Sequence, residues 1–288
     1  MRPASSAPQP PAAKIRSTIS VRGLGSISRM MSSPRCCLAF VGQYSVRPGR
    51  SARRQMGCAM IDDPPLLTIR RRFARPDPAL VEALRGIQTG FAVDAMDGSG
   101  ALHHRIKPVD PALAPVVGVA VTCDCGPADN LAVFAALDIT GPGDVLVCAA
   151  GGYEGTAVIG DLVAGMARNK GAAALVTDGL VRDLIGLRQV GLPVFAAGVT
   201  PNSPARQGPG TAGLPIVVGG VRVESGDVLV GDLDGVVVIP RERLAAVVDR
   251  LAAIRQKEAA LDAAVRGGLT MPDFARRILD SDRVRSID

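Results

Sequence analysis

Two acids and a guanidinium stand where this chain could do chemistry: Asp161, just inside one helix start, and the adjacent pair Arg182 and Asp183 at the opening of the next. Twenty residues separate Asp161 from Arg182. If the strands feeding the two helices are neighbours, all three side chains face one cleft. Asp183 could hold Mg²⁺ or Mn²⁺, hard cations that take few protein carboxylates and keep several waters. Arg182 could stabilise an oxygen that becomes negative during reaction. Behind Gly160, the free first-turn amides of Leu162 and Val163 could bind a small carboxylate with help from the helix dipole. An α-keto acid satisfies all three demands. The bland alternative is that Asp161 only compensates a helix dipole and Arg182-Asp183 is a solvated pair worth about 0 to 1 kcal/mol.

These residues need a scaffold, and the hydrophobic pattern supplies one. PALVEALRGI gives helical spacing at Leu80, Leu84 and Ile87, with Pro78 in the first turn. VVGVAVTCD, residues 116 to 124, reads as a β-branched strand, and ADNLAVFAALDIT as a helix with Leu131, Val133, Phe134 and Leu137 on its core face. A strand at 145 to 149 leads into the loop GGYEGTAVIG, whose glycines 151, 152, 155 and 160 allow close backbone approach to a ligand or serve only tight turns. DLVAGMARNKG then makes a short helix with Leu162, Val163 and Met166 on one face. AAALVTDG is a strand, VRDLIGLRQVG another short helix, and LPVFAAG a further strand. Alternation of this kind indicates an α/β unit with parallel strands. From about residue 214, short runs broken by GG, SGD and DLDG read as antiparallel β-structure, closed by a long amphipathic helix from RERLAAVV onward.

Composition narrows the partners. The formal charge of +6 is concentrated at the start, because residues 1 to 61 carry ten Lys or Arg and no acid, leaving the remainder at −4. The body therefore presents no nucleic-acid footprint. That Ser-, Pro- and Arg-rich start reads as a disordered basic tail. It fits an organelle transit peptide, but the favoured reading is a start codon placed too far upstream, with Met56 or Met60 as later candidates. No run approaches the roughly 18 to 20 apolar residues of a membrane helix, so a soluble, cytoplasmic protein is expected. The six cysteines, at 36, 37, 58, 123, 125 and 148, make no metal-ligand spacing and read as reduced, mostly buried thiols. With His103 and His104 as the only histidines, any metal must be held by oxygen. The glycine loop matches neither GxGxxG nor a P-loop.

Taken together, GDVLV at 143 to 147, GDLVA at 160 to 164, VTDGLVRD at 176 to 183, GLPVFAAGVTP at 191 to 201 and GDLDGVVVIP at 231 to 240 resemble the RraA-like proteins, which include the class II 4-hydroxy-4-methyl-2-oxoglutarate and 4-carboxy-4-hydroxy-2-oxoadipate aldolases. The resemblance covers roughly residues 80 to 262, and the aldolase signature, an Asp, twenty residues, then Arg-Asp, stands here as Asp161, Arg182 and Asp183. It implies a compact β/β/α swivelling-domain fold with a mixed sheet core and a C-terminal helix, the catalytic domain spanning 77 to 265 and a C-terminal extension 266 to 288. It implies that Asp183 ligates a divalent metal, Mg²⁺ or Mn²⁺, that Asp161 holds a metal-bound water, and that Arg182 polarises the keto oxygen. Gly160 and the Leu162 and Val163 amides would bind the pyruvyl carboxylate. Assembly as a homotrimer or homohexamer, with sites at subunit interfaces, is implied as well. Many relatives carry Glu in place of Asp161, usually within WGELLA, and this chain lacks the tryptophan of that motif.

The activity so implied is cleavage of 4-hydroxy-2-oxo dicarboxylic acids to pyruvate and a keto acid, with decarboxylation of oxaloacetate through the same pyruvate enolate. The base is unassigned, and Glu258 on the last helix is one candidate to reach a neighbour's site. A different class of function is carried by the RraA branch, which inhibits ribonuclease E by protein contact and has no need of a metal site.

Overall fold

A computed structural model of the chain describes residues 65–287. The expected basic tail, Cys36, Cys37, Cys58 and both alternative start methionines lie outside the described residues. In chain order the strands are β1 (Leu67–Ile69), β2 (Lys107–Pro108), β3 (Val116–Asp124), β4 (Asp144–Ala149), β5 (Ala157–Ile159), β6 (Ala174–Thr177), β7 (Leu180–Val181), β8 (Val194–Ala196), β9 (Gly198–Val199), β10 (Gly210–Ala212), β11 (Ile216–Val218), β12 (Val221–Val223), β13 (Val228–Asp232) and β14 (Gly235–Ile239). The helices are α1 (Pro78–Glu82), α2 (Thr89–Ala95), α3 (Leu131–Ile139), α4 (Asp161–Asn169), α5 (Leu184–Val190), α6 (Leu244–Arg266) and α7 (Asp273–Leu279).

The main sheet is mixed. Its parallel centre runs β3, β4, β6, β8, and antiparallel partners β10, β13 and β2 flank it. Strands β4 and β6 are neighbours in parallel register, Val145 opposite Ala174, as the α/β alternation predicts. Both are buried throughout, which suits their unbroken apolar runs. One core lies between the sheet and α3, α4 and α5, a second against β11 and β12 on the sheet's other face, and a third joins α2 and α6 to β13 and β14. The residues from 214 form two antiparallel hairpins, β11 with β12 and β13 with β14.

Several expectations change in detail. The helix read over PALVEALRGI is only the five residues of α1, although Leu84 and Ile87 are buried as expected. The stretch read as a loop at 151 to 160 contains β5, and the run read as helix from Val181 opens with β7. Helix α4 buries Val163, Ala164 and Ala167, while Leu162 and Met166 are exposed. Its buried face is built on Val163 and two alanines rather than on the larger Leu162 and Met166. Helix α3 behaves similarly, burying Ala132, Val133, Ala135, Ala136 and Leu137, with Leu131 and Phe134 at its margin. The extension after residue 266 holds α7, a short exposed helix. No helix among the described residues is long and apolar enough to cross a membrane. Cys123, Cys125 and Cys148 are buried and free, as expected of the cysteines in this region.

Candidate active site

A small satellite sheet explains how the three signature residues meet. Strands β5, β7 and β9 are parallel, with Ala157 opposite Leu180 and Ile159 opposite Val181. The residues that follow these two strands therefore emerge side by side: Gly160 and Asp161 from β5, Arg182 and Asp183 from β7. The Arg182 N–H donates to Ile159 C=O at 3.0 Å, which extends the ladder to the site's edge. Helices α4 and α5 then carry both chains away.

Gly160 is required by contact rather than by backbone conformation. Its φ of −128° suits any residue, but a Cβ there would stand 2.7 Å from Asp183 Oδ2 and 3.2 Å from Arg182 Nε. Gly186, in α5, makes room in the same way for the side chain of Asp161, whose Cβ would lie 2.6 Å from an added methyl. Asp183 sits at the N-cap of α5 in the left-handed region, φ 62° and ψ 49°, and its side chain makes no capping hydrogen bond. An aspartate that adopts an unfavourable backbone and forgoes capping has its carboxylate turned to another use. That carboxylate meets Arg182, with Nε 3.1 Å from Oδ2. The guanidinium is also held by Ser203, whose Oγ accepts from Nη1.

The cleft around these groups is small, about 40 Å³, and is lined by Asn130, Gly160, Asp161, Arg182, Asp183 and Arg206 among others. Leu162 and Val163 border it too. The Leu162 N–H is engaged, donating to Asp161 Oδ1 at 2.7 Å. The first regular helical bond closes at Ala164 N–H to Gly160 C=O, 3.1 Å, so the Val163 amide stands ahead of the ladder. All the predicted site residues, Gly160, Asp161, Leu162, Val163, Arg182 and Asp183, are thus brought to one place.

Sequence pattern did not single out Asn130, Ser203 or Arg206. Asn130 is buried, donates from Nδ2 to Val158 C=O at 3.0 Å, and leaves Oδ1 unpaired at the cleft wall. Asp129 and Asn130 do form a recognisable helix-start signal before α3, the Asp129 carboxylate accepting from Leu131 N–H at 2.7 Å. The glycine loop is distributed differently from expectation. Gly151 and Gly152 line a separate, larger cavity of about 300 Å³ with His103, Arg105, Glu154 and Asp178, and of the loop glycines only Gly160 lines the smaller cleft. In the larger cavity Arg105 is paired with Glu154, and Asp178 already accepts the Ala150 N–H at 2.7 Å. Burial pushes the Asp178 carboxyl above its ordinary range, against backbone N–H groups that lower it. Arg105, Glu154 and Asp178 thus have partners within the protein, whereas Asn130 Oδ1 at the smaller cleft has none among the described residues. Glu258 lies on α6 beside Asp94, Arg250 and Lys257, in a groove apart from its own chain's cleft.

The family model described as "RraA-like: Aldolase/RraA" matches residues 89–238. The chain is 40% identical over 161 residues to a protein of Halalkalibacterium halodurans named "Putative 4-hydroxy-4-methyl-2-oxoglutarate aldolase", covering 56% of this chain and 76% of that protein. It is 38% identical over 112 residues to the 4-hydroxy-4-methyl-2-oxoglutarate aldolase of Thermus thermophilus, covering 39% and 68%. Among solved structures it is similar to RraAS2 of Streptomyces coelicolor, described as an unusual member of the RNase ES inhibitor RraA protein family, with a TM-score of 0.59, 30% identity, and coverage of 67% of this chain and 100% of that one.

Proposed function

Because this chain belongs to the RraA-like family of aldolases and RraA proteins, we propose that its cleft cleaves 4-hydroxy-2-oxo dicarboxylic acids, such as 4-hydroxy-4-methyl-2-oxoglutarate, to pyruvate and a second keto acid. The relatives named as aldolases support a carbon–carbon lyase. The observation that carries the reading is the parallel pairing of β5 with β7, which sets Asp161 beside Arg182 and Asp183 around Gly160.

The donor set fits a divalent metal such as Mg²⁺ or Mn²⁺. Asp183 and Asp161 offer two hard carboxylates, Asp183 turned from its capping role, and such ions take one or two carboxylates with water and substrate completing the shell. Asp183 would hold it directly and Asp161 through water. When bound, the ion supplies a Lewis acid for the oxygens of the keto acid.

The chain's own groups do the rest. Val163 N–H, which precedes the first helical bond of α4, would receive the carboxylate at C1. Loss of the C4 hydroxyl proton lets the C3–C4 electron pair move toward C2, so that C4 leaves as a carbonyl and pyruvate enolate remains. The C2 oxygen gains charge as that bond breaks, and Arg182, oriented by Asp183 and Ser203, donates to it. Protonation at C3 completes pyruvate. Loss of CO₂ from oxaloacetate generates the same enolate, so decarboxylation is expected as a side activity.

The similarity to RraAS2 favours a second reading, a non-enzymatic regulator acting by protein contact. Asp161, Arg182 and Asp183 in one cleft would then have no task. Pyruvate release coupled to lactate dehydrogenase separates the two. Turnover of 4-hydroxy-4-methyl-2-oxoglutarate with added Mg²⁺ or Mn²⁺, and of oxaloacetate above the rate with metal alone, is expected, with loss of both in EDTA. Equal rates with and without EDTA would refute the metal assignment. No turnover of any 4-hydroxy-2-oxo acid would favour the regulator.

A further inference from the structure

One further segment lines the cleft beside the signature residues. Residues 202 to 208, NSPARQG, belong to no helix or strand, yet they are tied down along their length. Ala205 N–H donates to Ala128 C=O at 2.8 Å, and Asn130 N–H donates back to Ala205 C=O at 3.1 Å. The Asp129 carboxylate accepts from Gln207 N–H at 2.6 Å and from Gly208 N–H at 3.2 Å. At the other end Asn202 donates from Nδ2 to Gly155 C=O at 2.9 Å and accepts from Ala157 N–H at 3.0 Å. The residues on both sides of Arg206 are therefore anchored by backbone to the start of α3. Its backbone is held on both sides, while its side chain makes no hydrogen bond or ion pair among the described residues.

Arg206 lines the cleft with Asp161, Arg182 and Asp183. Arg182 is engaged by Asp183 and Ser203. Arg206 forms no ion pair with a carboxylate among the described residues, where eleven other pairs are present. A guanidinium on an anchored segment, lining a site that must accept an anion and without a partner among the described residues, matches a carboxylate in its planar two-donor geometry. We propose that Arg206 recognises the distal carboxylate of the substrate and so selects dicarboxylic over monocarboxylic 2-oxo acids, with Asp129 as the positioning residue that holds its segment in place. This rests on the aldolase reading for the identity of the site, but it concerns recognition at the end of the substrate remote from bond cleavage.

The test is a binding measurement that needs no turnover. 2-Oxoglutarate and 2-oxopentanoate have the same chain length and differ in a carboxylate against a methyl at the far end, and neither carries the C4 hydroxyl needed for cleavage. In calorimetric titrations with Mg²⁺ present, the wild-type protein should bind the diacid about tenfold more tightly or better, the scale of a charge-assisted hydrogen bond. Arg206→Gln should reduce that preference to within about twofold, and Arg206→Lys should restore part of it because the charge returns without the fork. Asp129→Asn should weaken the preference with Arg206 still in the chain. An absent preference in the wild type, or an undiminished one in Arg206→Gln, would overturn the assignment. So would equal weakening of both ligands in that variant. If instead the preference behaves as described while no 4-hydroxy-2-oxo acid is cleaved, the lyase reading fails and the carboxylate site stands.

Discussion

Replacing Gly160 by alanine would add a methyl 2.7 Å from Asp183 Oδ2 without asking the backbone for an unusual angle. The substitution therefore separates the site from the fold. We predict a fall in kcat of at least about tenfold as Asp183 and Arg182 are displaced, with Tm changed by no more than a few degrees; unchanged kinetics would mean that the pair need not sit where it does. Arg182→Lys should lower kcat by about 10² to 10³ with little rise in KM, because the interaction strengthens only as the enolate oxygen gains charge. Steady-state kinetics decide this, and a rise in KM alone would make Arg182 a ground-state binder. The signature residues are legible in the sequence because acid and Arg-Asp stand at two helix starts. Asn130 and Arg206 are not, since one hides inside a helix-start signal and the other in a segment without periodicity.

Long periodic elements are legible and very short ones are not. Strand β3 occupies the nine residues of its β-branched run, and β4 and β6 pair as sequential strands in α/β units do. Strands β5 and β7 have three and two residues, too few to show alternation against the glycines around them. Yet they deliver the site. The segment at 202 to 208, which lines the same cleft, carries its own pH dependence. Burial works to raise the Asp129 carboxyl, but the N–H groups of Gln207, Leu131, Gly208 and Asn130 together outweigh it and hold the group below its ordinary range. A depressed folded-state pKa contributes stability above the unfolded value, about 3.9, and loses it as pH falls through the folded value. Asp129→Asn should thus flatten the decline of Tm below about pH 4 while lowering Tm at neutral pH, as scanning calorimetry across pH would record. A parallel decline in both proteins would remove Asp129 from the account.

At the scale of the whole molecule, the residues lining the cleft fall between 130 and 206, so deletion of residues 1 to 59 should leave Tm and activity intact; loss of soluble protein would contradict this. The chain just beyond is a different matter. Arg75 grips Asp144 with two hydrogen bonds of 2.6 and 2.8 Å, and the Asp144 side chain is only 1% exposed. Arg75→Ala should cost about 1 to 3 kcal/mol in urea unfolding, as an ionised acceptor loses its partner, whereas no change would show that Gly141 N–H suffices for Asp144. The pairing of β5 with β7 has a consequence for the spacing of the signature itself. Residues 162 to 181 are a route out along α4 and back through β6, and the chemistry depends only on where the route's two ends are pinned. Its length is then a record of travel rather than a catalytic requirement. A detour lengthened at the exposed Asn169 and Lys170 turn would reach the same two ends, and a protein with a different residue count between acid and Arg-Asp could house an identical centre.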